Sequence, residues 1–156
     1  MGCGNFLFGD DGFGPAIAQY LRANYSIPEN VFVEDVGTAA AKLLFTLLHT
    51  DPCPRRIIIV DAVEIKGKRP GLVFEIPLDS LPESKSGAYA IHQFPDTNLL
   101  KALRDDKGII VEIVACQVEN IPDEVEEGLS DVVEKAIPAA SEIVFNKIMS
   151  QLVDKK

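Results

Sequence analysis

Three residues in this chain are of types that could do chemistry together: Asp11, Asp61 and His92. Two carboxylates and one imidazole converging from separate loops would form an open site for a first-row divalent ion, with positions left for water or a substrate group. The same set could run acid–base chemistry, with a carboxylate as general base. Spacing alone does not single out this trio, and no HExxH pattern is present.

Each of the three also has a structural reading. Asp61 follows Ile57-Ile58-Ile59-Val60 and precedes Ala62-Val63, so burial is expected. A buried ionised carboxylate is costly unless something pairs with it. Capping a nearby helix or accepting backbone N–H groups would serve, but strand ends are also where sites gather in open α/β sheets. Asp11 lies in Gly9-Asp10-Asp11-Gly12. Asx residues beside glycine suit turns, and an acid suits the positive end of a helix dipole. A cap needs one aspartate, so Asp10 caps while Asp11 faces a site, or the reverse. His92 ends a long irregular stretch over 77–91, and long loops in compact domains are often functional. His49 closes a helix, where a partial positive charge is welcome. Cys53 reads as a loop thiol and Cys116 as core. Neither has a histidine near in sequence, which disfavours a cysteine nucleophile. The glycine-rich first turn could hold a phosphate, but adjacent aspartates would repel it.

The elements that must position these residues alternate between strand and helix. A helix is expected over 13–24, with Asp10 or Asp11 as N-cap and Pro15 in its first turn. Residues 30–35 read as a short strand. Residues 38–49 read as a helix capped by Thr38, with Ala41, Leu44, Phe45 and Leu48 on one face. The run 56–62 has the β-branched character of a strand buried on both faces. Further strands are expected over 72–76 and 109–116 and a helix over 94–104. A long helix begins near Ser130 and is interrupted or kinked near Pro138. The alternation predicts a three-layer α/β/α fold with a mostly parallel sheet, nominally five-stranded, in a single domain over 1–156. The first strand looks truncated: only Met1-Gly2-Cys3 precedes the glycine-rich turn.

Composition narrows the function classes. The chain is 47% hydrophobic and 25% charged, which is globular. Its net charge of -9 argues against nucleic acid. The apolar runs are too short to span a bilayer, and no signal peptide is visible. Three cysteines without a CxxC pair read as reduced thiols, pointing to a cytoplasmic protein.

Five segments in order carry a resemblance: GCGNFLFGDDGFG, EDVGTAA, IIIVDAV, AIHQ and EGLSDVVEKAIPAASEIV. Together they resemble the hydrogenase maturation endopeptidases over nearly the whole chain. The GDDGFG form is most similar to the branch serving the deazaflavin-reducing hydrogenases of methanogens. The resemblance implies a five-stranded sheet between helices. It implies removal of a C-terminal peptide from the nickel-loaded large-subunit precursor of a [NiFe]-hydrogenase, by metal-assisted or aspartic-type hydrolysis. It also implies that Asp11, Asp61 and His92 contact nickel, carried by the substrate. A monomer, partnered by the precursor and not by nucleic acid or membrane, is expected.

Two departures from the family pattern stand out. Asp35-Val36-Gly37-Thr38 replaces an Asp-Gly-Gly-Thr segment, which should stiffen that loop. Members also carry an apolar strand ahead of the first turn, so the true start is expected upstream. Two rival functions are a non-catalytic module that checks the precursor's nickel, and a small-molecule or flavin-binding enzyme on a similar sheet.

Overall fold

The computed structural model describes residues 1–81, 89–90 and 97–153; for 89–90 and 151–153 it gives the backbone alone. In chain order the elements are β1 (Gly2–Cys3), α1 (Phe13–Asn24), β2 (Asp35–Gly37), α2 (Ala40–Leu48), β3 (Arg56–Ile65), β4 (Val73–Glu75), β5 (Tyr89–Ala90), α3 (Thr97–Lys107), β6 (Ile110–Gln117) and α4 (Asp131–Val153). The main sheet has the order β2-β1-β3-β6-β4. Its pairs are parallel except β4 with β6, an antiparallel edge. β5 joins the end of β3 antiparallel.

β3 is the spine of this sheet because its side chains suit both faces. Alternate residues feed two separate cores. Ile57, Ile59 and Val63 pack with Ala40 and Leu44 of α2 and Leu100 and Leu103 of α3. Val60 and Ala62 pack with Phe13, Ile17 and Leu21 of α1 and Val133, Ile137 and Ala140 of α4. The period of two along a strand thus divides the layers: α2 and α3 on one face, α1 and α4 on the other. By the same alternation Asp61 shares the face of Ile59 and Val63.

β1 is short but central, between β2 and β3. Val60 N donates to Met1 O at 2.9 Å, and Gly2 N donates to Glu34 O at 2.8 Å. The Met1 ammonium donates to Ile58 O at 2.8 Å. The helix α1 lies hard against this strand: a Cβ on Gly14 would fall 2.1 Å from Cys3 O and 2.5 Å from Val60 O. No larger residue could begin a helix there.

Several local expectations need correction. The second strand is Asp35–Gly37, with 31–34 outside any strand. Phe32 is 82% exposed, so apolar character there does not mark a buried strand. On α2 the buried residues are Ala40 and Leu44, while Ala41 and Phe45 face outward. No side chain caps α1 or α2; their N-cap residues are Gly12 and Ala39. The third helix begins at Thr97 and reaches Lys107; 94–96 lie outside the described residues. α4 continues through Pro138. Proline removes one helical hydrogen bond. Here it sits on the exposed side, while Val133, Ile137, Ala140 and Val144 pack α4 against the sheet.

Candidate active site

Asp61 lies in the middle of β3, which runs on to Ile65 where a strand ending near this residue was expected; it stands opposite Ala115 of β6 and is only 3% exposed. Its Oδ1 accepts the N–H of Ala62 at 2.8 Å. Burial pushes the carboxyl up to about 8, the Ala62 bond opposes this, and the charge of Asp11 pushes in the same direction as burial. A carboxyl that titrates near neutral pH can both hold and accept a proton in the working range.

Asp11 is delivered by the first loop. Residues Gly9–Gly12 form a 3-10 turn running straight into α1. The Asp11 side chain is buried, and its Oδ2 accepts the N–H of Asn5 at 2.8 Å. Gly4 makes the approach possible. Its φ is +117°, and a Cβ there would fall 2.0 Å from Asp11 O. The first loop therefore brings Asp11 close enough for its charge to act on the protonation of Asp61 on β3. His92, the third predicted member, lies outside the described residues. β5, which pairs Ala90 with Glu64 and Tyr89 with Ile65, places the chain beside β3 two residues before it.

The adjacent aspartates divide their work. Asp10 is fully buried and collects four donors. Glu119 N and Asn120 N reach its Oδ2 at 2.7 and 3.0 Å. Ser130 N reaches Oδ1 at 2.7 Å and Ser130 Oγ reaches Oδ2 at 3.0 Å. Asp10 thus ties the start of α4 and the chain after β6 to the first loop, and neither aspartate caps α1. A bridge between Phe8 and Glu126 fastens the same two segments, with Gly9 N on Glu126 O and Glu126 N on Leu7 O. A cleft of about 490 Å³ opens beside this junction, lined by Phe6, Gly12, Ala16, Gln19, Arg22 and Leu129 among others.

Cys3 and Gln117, both buried, escape a reading by residue type. The Cys3 thiol is pushed up to about 12 by burial and then by Asp61's charge. It stays neutral and is no nucleophile. Gln117 is buried at the end of β6. Its signal in the sequence is a polar residue directly after an apolar run, here Ile113-Val114-Ala115-Cys116. Cys116 is likewise pushed up to about 12, by burial and then Asp10.

Residues 15–147 match the model of a family described as hydrogenase maturation protease, a span holding Asp61 and His92. A candidate hydrogenase maturation protease of Methanocaldococcus jannaschii is 39% identical over 95% of this chain and 94% of its own. The chain belongs to the hydrogenase maturation protease family. The delta subunit of a coenzyme F420 hydrogenase from Methanothermobacter thermautotrophicus is 33% identical over 95% of this chain and 92% of its own. Among solved structures, the hydrogenase maturating endopeptidase HybD of Escherichia coli superposes with a TM-score of 0.74 at 26% identity. That match covers 96% of this chain and 90% of the other. The family is one of peptidases, so the two carboxyl groups stand in a hydrolase fold. No described helix is long and apolar enough to cross a membrane.

Proposed function

We propose that this chain is the endopeptidase that removes the C-terminal peptide of a nickel-loaded [NiFe]-hydrogenase large-subunit precursor. Family membership supports the reaction class, and the similarity to a coenzyme F420 hydrogenase delta subunit supports a methanogen-type partner. The observation that carries the reading is the burial of two carboxyl groups, Asp61 on the central strand and Asp11 on the first loop, with the charge of Asp11 acting on Asp61.

In this reading the metal arrives with the substrate. Asp11, Asp61 and His92 approach the substrate's nickel and set the register of the scissile bond. A nearby dication favours the ionised form of a carboxyl, so Asp61 releases its proton as the precursor docks. The freed carboxylate then takes a proton from the attacking water. The nickel polarises the peptide carbonyl as a Lewis acid. Burial of Asp61 keeps competing water from its remaining lone pairs.

The test is the intact mass of nickel-loaded precursor before and after incubation with the chain. Loss of a single C-terminal peptide with the parent, and none with Asp61→Asn, supports the proposal. Full cleavage by Asp61→Asn removes Asp61 from the mechanism. Tight association with no mass change would mean that the chain only checks the precursor's nickel.

A further inference from the structure

β3 and β6 run side by side from Arg56 opposite Ile110 to Val63 opposite Gln117, and then part. The last regular bond of the ladder joins Val118 N to Val63 O at 3.0 Å. In a parallel pair the next bond would join Ile65 N to Val118 O. The side chain of Gln117 stands between those two groups instead. Ile65 N donates to Gln117 Oε1 at 2.9 Å, and Gln117 Nε2 donates to Val118 O at 3.3 Å. One primary amide therefore acts as an additional peptide group inserted into the ladder. It is buried, and both ends of the amide are engaged. A primary amide carries its acceptor and its donor on separate atoms of one planar group, as a peptide unit does.

The separated strand ends serve different halves of the site. β3 continues to Glu64 and Ile65, where β5 pairs with it, four residues beyond Asp61. β6 continues to Glu119 and Asn120, whose N–H groups reach the Asp10 carboxylate next to Asp11. The backbone of Gln117 is meanwhile fixed to the edge segment, with Gly71 N on its carbonyl and its own N–H on Leu72 O, both at 2.9 Å. The wedge thus rests on a firm base. We propose that Gln117 is a positioning residue: by holding the ends of β3 and β6 apart, its amide sets the spacing between the strand that carries Asp61 and the loop that carries Asp11. This inference rests on the proposed function, in which those two carboxyl groups act together.

The test compares Gln117→Met, which keeps length but removes both hydrogen bonds, with Gln117→Glu, which keeps the acceptor facing Ile65. Cleavage of nickel-loaded precursor gives kcat and KM, and amide hydrogen exchange follows Ile65 and the ladder from Ile57 to Val63. In Gln117→Met, kcat is expected to fall roughly tenfold or more with KM changed less than about threefold, as misplacement of reacting groups does. Ile65 should exchange faster while the ladder stays protected, and Gln117→Glu should recover part of both losses. A parent-like kcat in folded Gln117→Met, or an unchanged Ile65 amide, overturns the inference. Should Gln117→Met not fold, Gln117→Asn decides. Its amide is one methylene too short to reach both partners, and a parent-like kcat there overturns the inference too. If the parent itself leaves the precursor uncut, the proposed function fails, and exchange at Ile65 alone decides the role of Gln117.

Discussion

Asp10 and Ser130, separated by 120 positions in sequence, are joined by two hydrogen bonds, one from the Ser130 N–H and one from its hydroxyl. The first loop and the start of the last helix are thereby made one structural unit. Asp10→Asn keeps the shape but leaves a single acceptor oxygen facing four donors. The expected loss of stability is about 2–3 kcal/mol, read as a lower urea midpoint with unchanged slope.

The pH dependence of stability should expose Asp61. Its folded pKa, about 8, lies above the ordinary value of 3.8. The folded chain holds this proton more tightly than the unfolded chain does. The stabilisation is full below the unfolded value and is lost as pH rises through the folded one. Between about pH 4 and 8 this group lowers stability by at most about 1.4 kcal/mol per pH unit. Asp61→Asn cannot titrate, so its stability relative to the parent should climb with pH across that window. Urea unfolding at pH 5 and pH 8 measures the difference. The same substitution should cut the cleavage rate by about a hundredfold or more, as loss of an acid–base group does.

Gly4→Ala addresses the loop geometry. The new Cβ would meet the Asp11 carbonyl, and φ at this position is +117°. A loss of about 3 kcal/mol or more is expected. The folded fraction that remains should cleave slowly, because the displaced atom belongs to Asp11.

Ser141→Ala should act in the opposite sense. The Ser141 hydroxyl is fully buried within α4, and the described residues give it no hydrogen-bond partner. Removing a buried unsatisfied group relieves its desolvation cost, so a gain of about 1 kcal/mol is expected. Thermal unfolding reads it directly, and cleavage should not change.

What could be read from the residues depended on how far each signal was local. The bounds of α1 followed from local cues: the glycine turn, Pro15 and the apolar period of Ile17 and Leu21. The central strand and the burial of Asp61 followed from an unbroken β-branched run. β2 was displaced because it is three residues long and is fixed by pairing with β1, not by its own pattern. The buried face of α2 was misread because Phe45, 56% exposed, counts as apolar yet stacks on His49 at 4.3 Å. The expectation that Asp10 or Asp11 caps α1 fails because the true partners of Asp10, which are Glu119, Asn120 and Ser130, are remote in sequence. The Gln117 wedge is likewise a tertiary feature, visible only once β3 and β6 are side by side.

The three thiols differ sharply in chemical access. Cys3 and Cys116 are buried with their titration pushed to about 12, whereas Cys53 is half-buried in the turn before β3 begins. A maleimide dye should therefore couple to Cys53 alone. β3 starts at Arg56 and carries Asp61 at its middle, so such a fluorophore would sit just before the strand that carries Asp61. The native chain thus offers a ready attachment point for watching a precursor arrive and depart in real time, with no cysteine engineered in or out.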